Sequence, residues 1–196
     1  MNMDNSWQEY FNQLENLNIF DCIENKNVLE IGTADGMFWE LYNKYNPSSI
    51  TGLDPDVRWR LPPCVKESDI IRESYDTYLP KTGYDVIICF GLIYKLHSPI
   101  HLLELMARSR PEYIILEDLG PEPKITGISL SKDIHVTGNI GDLIIADEMH
   151  CPFVTTLSSN SIISIMETMS YKLENKYYLE SSQPSKKKTR QFIFKG

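Results

Sequence analysis

Short runs of apolar, β-branched residues recur along the chain, and segments with helical character separate them. The clearest runs are residues 28–31, YDVIICF at residues 84–90 and YIILE at residues 113–117. Unbroken apolar character is typical of strands that are buried on both faces, as in a parallel sheet. Because parallel strands need crossover connections, usually helices, the alternation predicts an α/β architecture with helices on both faces of the sheet.

The other elements follow from apolar periodicity, capping residues and prolines. Strands at residues 171–179 and 190–194 flank a lysine-rich turn, so we expect an antiparallel hairpin at the end of a mostly parallel, seven-stranded sheet. The remaining predictions are helices from Asn5 or Ser6, near residues 36–45, from Ile70, from Ser98-Pro99 to about residue 110 and from residues 158–160, with strands at residues 49–53 and 64–67.

The length of 196 residues favours a single domain, residues 1–196, because it is short for two separate cores. Within it, residues 118–157 are rich in turn signals and lose the regular pattern, so we interpret them as a cap or insertion over the active site. We expect no contact with a membrane, because no apolar run approaches the roughly 20 residues that a spanning helix needs.

Cysteine spacing and the polar N-terminus indicate the compartment. Cys22, Cys64, Cys89 and Cys151 stand far apart without zinc-site spacing, and His150 beside Cys151 lacks further ligands, so we expect free thiols and no metal. No secretory leader is visible, and a cytoplasmic location is the expectation.

Charge is distributed unevenly along the chain. Residues 1–170 carry 12 basic and 25 acidic side chains, net −13, whereas residues 171–196 carry 7 and 2, net +5. An acidic body makes nucleic acid an unlikely partner, because affinity for a phosphate backbone comes from basic side chains. The cluster of Lys186, Lys187, Lys188 and Arg190 is either an anion grip or, more commonly for such a run, a solvated hairpin tip.

Two glycines and an aspartate suggest a nucleoside site. Gly32 and Gly36 follow the strand at residues 28–31, where the absence of a Cβ lets the backbone approach a ligand just before a predicted helix. Asp54 ends the next strand, where a carboxylate can accept hydrogen bonds from both ribose hydroxyls or, alternatively, cap the turn before Pro55.

The charge of the same segment favours a cationic ligand. The sequence from Gly32 reads G-T-A-D-G rather than G-x-G-x-x-G, and Asp35 would repel the pyrophosphate of a dinucleotide. Glu30 and Asp35 instead suit the ammonium and sulfonium of S-adenosylmethionine, although Glu30 could also pair with a cation at a helix end.

These motifs resemble those of the class I S-adenosylmethionine-dependent methyltransferases, which have a Rossmann-like sheet. VLEIGTADG resembles their first motif, with Thr33-Ala34 where a central glycine is usual, and SITGLDPD resembles the second, with Asp54 as the ribose acid. The resemblance implies that Asp69 contacts the adenine amino group, although it could simply cap a helix. It also implies that Gly91, in YDVIICFGLIYKL, lies beside the methionine part of the cofactor.

A narrower resemblance is to the tRNA uridine carboxymethyltransferase group, which carries a segment like G-V-L-Y-H-R-x-S-P. This chain reads GLIYKLHSP, so Tyr94, Ser98 and Pro99 match while Lys95 replaces the histidine. We take the catalytic scaffold from this resemblance and do not carry over its substrate.

Three side chains near predicted strand ends are candidate catalytic groups. Tyr94, His97 and Glu117 should face one rim of the sheet, where one of them could orient or deprotonate a substrate hydroxyl, although each could also be structural. The leading hypothesis is methyl transfer from S-adenosylmethionine to a small-molecule oxygen or nitrogen. The alternatives are methyl or carboxymethyl transfer to an RNA base, and a protein that binds the cofactor without catalysis.

Overall fold

The computed structural model describes residues 5–57, 61–119, 128–131, 154–180 and 188–196. These residues form nine strands and five α-helices, with short 3-10 turns between some of them. The strands are β1 Asn27–Ile31, β2 Ser49–Leu53, β3 Ile70–Ile71, β4 Val86–Cys89, β5 Tyr113–Leu119, β6 Ile128–Ser131, β7 Val154–Leu157, β8 Lys172–Glu180 and β9 Lys188–Lys195. The helices are α1 Asn5–Asn16, α2 Trp39–Tyr42, α3 Tyr75–Tyr78, α4 Pro99–Arg108 and α5 Ser159–Thr168.

Seven strands form one sheet in the order β3-β2-β1-β4-β5-β9-β8. The pairs from β3 to β5 are parallel, whereas β9 is antiparallel to both β5 and β8. This arrangement confirms the predicted mostly parallel α/β sheet with an antiparallel C-terminal hairpin. The chain reverses its direction of growth between β1 and β4, which is where ligands of open α/β sheets bind.

Helices cover both faces of the sheet, as predicted. On one face, α1 and α2 bury aromatic and aliphatic side chains against the strands, among them Phe11, Leu14 and Trp39. On the other face, α4 and α5 bury Leu102, Met106, Ile162 and Met166. The strands alternate between the two clusters, so successive residues of β4 pack on opposite faces.

Local signals set the ends of α4 and α5. Helix α4 starts with Pro99 in its first turn, where a missing backbone N–H costs nothing, and it ends at Arg108. Before α5, the side chain of Ser158 accepts a hydrogen bond from the N–H of Ser161 at 3.1 Å, which caps the helix.

The predicted helix near residues 36–45 is confirmed from Trp39 to Tyr45, but it starts later and is less regular than predicted. The structure has a turn at Gly36, the four residues of α2 and a 3-10 turn, Asn43–Tyr45. Asn46 then adopts a left-handed conformation with φ of 51°, which ends the helical segment before Pro47.

The predicted strand at residues 64–67 and the helix from Ile70 are wrong. Residues 70 and 71 instead form β3, because they pair with Gly52 and Leu53 and bury Ile70 in the core. Helix α3 follows, and its first turn is capped by Ser74, whose hydroxyl accepts from the N–H of Asp76.

Part of the predicted cap at residues 118–157, including residues 132–153, lies outside the described residues. The described part contains the end of β5 and the antiparallel pair of β6 and β7. Strand β7 lies against the 3-10 turn Ile93–Lys95, which follows β4. Among the described residues, no helix is long and apolar enough to cross a bilayer.

Candidate active site

The turn after β1 and the end of β2 meet at the reversal of the sheet. The N–H of Gly32 donates to the carbonyl of Leu53 at 2.8 Å, and the N–H of Ala34 donates to the Asp54 carboxylate at 3.0 Å. The second carboxylate oxygen accepts from the N–H of Asp56 at 2.9 Å. Two backbone amides therefore fix the Asp54 carboxylate at the carboxyl edge of the sheet, and each of its oxygens keeps capacity for another donor.

Glycine is required at two turns of this edge. Gly32 has a φ of 78°, and a Cβ at this position would lie 3.2 Å from the Cδ2 of Leu92. Gly91 has a φ of 67°, and a Cβ built there would lie 3.8 Å from the Tyr94 hydroxyl. The turns after β1 and β4 thus approach each other closely, which forms the crevice expected at a topological switch point.

Glu30 is buried beneath the first turn rather than exposed above it. Its carboxylate accepts hydrogen bonds from the Thr33 hydroxyl at 2.5 Å, the Trp39 indole N–H at 2.7 Å and the Tyr42 hydroxyl at 2.8 Å. Burial raises the pKa of Glu30, and the three donors partly oppose this shift. Glu30 and Thr33 therefore shape the turn between β1 and α2 from inside the protein.

Tyr94 and Lys95 lie in the turn after β4. Burial, with a further contribution from the negative charge of Asp118, raises the pKa of Tyr94 well above its usual range, so the phenol is neutral. The half-buried Lys95 places its Nζ 5.6 Å from the centre of the Tyr94 ring. Burial lowers the pKa of Lys95, while the nearby charge of Asp54 opposes this shift.

A buried ion pair that sequence reasoning missed lies next to this turn. Asp118 on β5 and Arg190 on β9 stand opposite each other in the strand register and form a salt bridge, with both side chains buried. Arg190 also donates to the carbonyl of Leu157 at 3.0 Å and to the hydroxyl of Ser159 at 3.4 Å. The signal for this ion pair in the sequence was the presence of opposite charges within two apolar strands. The pairing register of the strands was needed to recognise that these two charges are neighbours.

Glu117, a predicted catalytic residue, faces α1 on the other side of β5. Its carboxylate accepts from the Tyr10 hydroxyl and from the Gln191 amide at 3.4 Å, and the nearby backbone N–H of Gly91 acts on its pKa. Burial raises the pKa of Glu117 to about 7, with a smaller contribution from Asp118, while the Gln191 and Gly91 donors oppose the shift. Sequence reasoning did not connect Tyr10 or Gln191 with this residue.

The remaining predicted site residues are less central. Asp69 precedes β3 and therefore lies at the amino end of that strand, away from the edge that holds Asp54. Gly36, with a φ of 69°, packs against Val65, since a Cβ would lie 2.9 Å from Val65 Cγ2. His97 is exposed in the loop before α4. The structure thus brings together Gly32, Asp54, Gly91 and Tyr94, and leaves Asp69 apart.

A sheet of this order, with glycine turns and a fixed carboxylate meeting at its reversal, is a Rossmann-like fold, and folds of this kind bind ligands in such a crevice. Residues 3–155 match the family model of a methyltransferase domain. Because this match covers more than half of the chain, the protein belongs to the methyltransferase-domain family.

Relatives in sequence cover only part of the chain. The tRNA U34 carboxymethyltransferase of Campylobacter jejuni is 31% identical over 111 residues, which cover 52% of this chain and 38% of that protein. The protein of the same name from Helicobacter pylori is 29% identical over 96 residues, covering 43% of this chain and 36% of that protein. The chain therefore matches well under half the length of these curated relatives.

Solved structures share the fold over almost the whole chain. An S-adenosylmethionine-dependent methyltransferase from Mesorhizobium loti superposes with a TM-score of 0.62 at 11% identity, covering 89% of this chain and 92% of that chain. The N-methyltransferase NodS from Bradyrhizobium japonicum, in complex with S-adenosylhomocysteine, gives a TM-score of 0.62 at 14% identity, with 100% and 89% coverage. The protein has the fold of these methyltransferases.

Proposed function

We propose that the protein is an S-adenosylmethionine-dependent methyltransferase that acts on a small-molecule acceptor. The observation that carries the proposal is the position of Asp54, which backbone amides hold beside the Gly32 turn at the reversal of the sheet. A carboxylate at this place can accept the hydrogen bonds of both ribose hydroxyls, and the glycine turns leave room for a nucleoside. Membership of the methyltransferase-domain family supports the same reading.

The residues at the crevice suit S-adenosylmethionine. Asp54 would hold the ribose, while Gly32 and Gly91 would let the backbone approach the adenosine and methionine parts without a Cβ between them. When bound, this cofactor supplies a methyl group that its sulfonium already activates. The acidic character of the surrounding chain favours a cationic ligand over a nucleotide phosphate.

The protein's own residues would mainly position the acceptor and exclude water. The turn that carries Tyr94 packs against β7, which would help to hold it in place beside the acceptor. The Tyr94 phenol is neutral and can donate or accept a hydrogen bond, but its raised pKa makes it a poor base. His97 and Lys95 are the candidate groups for accepting a proton from an oxygen or nitrogen nucleophile.

Binding of S-adenosylhomocysteine, measured by isothermal titration calorimetry, tests the cofactor assignment. We expect saturable binding to the wild-type chain and transfer of labelled methyl groups from S-adenosylmethionine to small molecules of a cell extract. An absence of binding at millimolar concentrations would overturn the proposal. Binding without transfer to any acceptor pool would favour a cofactor-binding protein that lacks catalysis.

A second candidate is methyl or carboxymethyl transfer to a tRNA base. The similarity to tRNA U34 carboxymethyltransferases favours it, although that similarity covers 38% of the length of the Campylobacter jejuni protein. The net charge of −8 argues against it, because an acidic surface repels the phosphate backbone. Label recovered in the tRNA fraction rather than in small molecules would select this candidate.

A further inference from the structure

Helix α1 is connected through Phe38 to the segments that carry both turns of the candidate cofactor site. Tyr10 and Phe11 pack against Phe38, with ring centres 6.4 Å and 5.3 Å apart, and Phe38 precedes α2 in the segment after the Gly32 turn. Phe38 also packs edge-on against Phe90 at 5.4 Å, immediately before Gly91. One aromatic cluster therefore connects α1 to the ends of β1 and β4.

Glu117 adds a polar connection between the same parts. The carboxylate accepts hydrogen bonds from the hydroxyl of Tyr10 on α1 and from the side-chain amide of Gln191 on β9, and the backbone N–H of Gly91 lies close enough to lower its pKa. Gln191 also donates to the Tyr10 hydroxyl at 3.3 Å and to the Thr189 hydroxyl at 2.7 Å. The three residues Tyr10, Glu117 and Gln191 are all buried, so this network is held away from solvent.

The position of Glu117 on β5 separates it from the other two candidate catalytic groups, Tyr94 and His97. Side chains alternate across a strand, so Glu117 points toward α1, whereas Asp118 points to the face that carries Arg190. Because its oxygens already accept hydrogen bonds from Tyr10 and Gln191 and lie near the N–H of Gly91, Glu117 is arranged to hold other groups and not to contact an acceptor molecule.

We propose that Glu117 is a positioning residue that fixes the Gly91 turn and couples it to helix α1, so that cofactor binding orders both. This inference rests on the proposed function, because it requires Gly91 to lie beside the bound cofactor. Since all three of its partners donate, the ionised carboxylate suits the network best. A protonated carboxyl would present one donor of its own to the donors of Tyr10, Gln191 or Gly91. It would therefore interact less favourably with them and hold the turn less firmly.

The charged and titratable neighbours define what a pH experiment reports. Tyr10 from α1, Gln191 from β9 and Gly91 from the turn face the carboxylate, Thr189 accepts a hydrogen bond from Gln191, and Asp118 adds negative charge from the next position. Burial of this carboxyl raises its pKa to about 7, so its charge changes within the range that binding experiments cover.

The test measures the affinity of the full chain for S-adenosylhomocysteine by calorimetry from pH 6 to pH 8. We expect the wild type to bind at least about fivefold more weakly at pH 6 than at pH 8. A fivefold change is the lower end of the usual range for coupling between two sites. Glu117→Gln should bind weakly with no such pH dependence. Glu112→Gln is the matched control, because Glu112 precedes the same strand and pairs with Lys26 at 2.5 Å.

Hydrogen exchange of residues 5–16 supplies a second readout. In the wild type, S-adenosylhomocysteine should slow exchange in α1, and Glu117→Gln should lose that protection. A parallel His97→Asn chain shows whether the pH dependence persists without the histidine of the neighbouring loop, as the proposal requires. If Glu117→Gln fails to fold, Tyr10→Phe takes its place, because it removes one donor and is expected to weaken binding and the protection of α1.

The outcomes separate the two proposals. Wild-type protein that does not bind S-adenosylhomocysteine contradicts the proposed function. Wild-type binding that Glu117→Gln reproduces in affinity, in pH dependence and in protection of α1 overturns the positioning role alone. A pH dependence that disappears in His97→Asn would likewise overturn it.

Discussion

Three carboxylates near the carboxyl edge of the sheet differ in what their oxygens contact. Asp54 is fixed by two backbone amides and keeps open acceptor sites. Glu30 is enclosed by three side-chain donors, and Glu117 joins three structural elements. The same functional group thus has open acceptor sites for a ligand at one position and is an internal support at the other two.

Removal of the Asp54 side chain should weaken cofactor binding selectively. In Asp54→Ala we expect the affinity for S-adenosylhomocysteine to fall by about 10- to 100-fold, because hydrogen bonds to a charged group contribute roughly 1.5–3 kcal/mol. Calorimetry measures this change, and the neighbouring Asp56→Ala is the control that should bind like the wild type. Equal affinity of both variants would contradict the ribose role of Asp54.

Glu117 should make stability depend on pH. Its pKa is raised from 4.5 to about 7 in the folded chain, so the folded state holds the proton more tightly than the unfolded state does. The stabilisation that Glu117 contributes is therefore fully present below pH 4.5 and is lost as the pH rises through 7, a change of about 3 kcal/mol at most. Urea unfolding of the wild type and of Glu117→Gln at several pH values measures the difference in their free energies of unfolding. This difference should shrink above pH 5 and level off near pH 8. Parallel stability curves for the two chains would contradict this assignment.

The elements differ in how far their sequence determines them. Helix α4 and strands β1, β2 and β4 follow from caps, prolines and apolar runs, and the structure confirms them. In contrast, β3 has two residues, and its identity depends on pairing with β2, which no local pattern reveals. Helix α2 is short because the segment from Gly36 is arranged around a buried carboxylate, and this tertiary contact overrides helix periodicity.

The hydrogen bonds to Glu30 beneath the first turn lead to a prediction about the free energy of unfolding of two variants. Tyr42→Phe removes one donor to the buried Glu30 carboxylate, and we expect a loss of about 1–3 kcal/mol in the free energy of unfolding. Tyr45→Phe, in the next turn and partly exposed, should change it by less than about 0.5 kcal/mol. Urea denaturation compares the two variants, and equal losses would show that the Glu30 network does not stabilise the turn.

At the scale of the whole molecule, net charge opposes nucleic-acid binding while the C-terminal segment is basic. The charges were evident from the sequence, and so were the fold class and the Asp54–Gly32 junction. The partners of Glu117 and Asp118 were not, because they come from residues distant in the chain that only strand register and helix packing bring together.

This charge distribution leads to a prediction about RNA. We expect no gel shift of unmodified tRNA by about 1 µM protein at physiological salt, where non-specific binding by cationic surfaces is itself only about 10⁻⁴–10⁻⁶ M. At low salt, replacement of Lys186, Lys187 and Lys188 by Glu should abolish any residual shift and leave the affinity for S-adenosylhomocysteine unchanged. A tight shift at physiological salt would favour the tRNA candidate.

The position of β9 between β5 and β8 affects how the protein can mature during synthesis. Tyr10 and Gln191 are 181 positions apart, yet they share one network, and Arg190 neutralises Asp118 from the same late strand. A nascent chain that has emerged only as far as α5 would carry an open edge on β5 and an uncompensated acidic side chain on it. The crevice should therefore become competent to bind only after the ribosome has released β9, so that an interrupted chain would remain inactive and exposed to quality control.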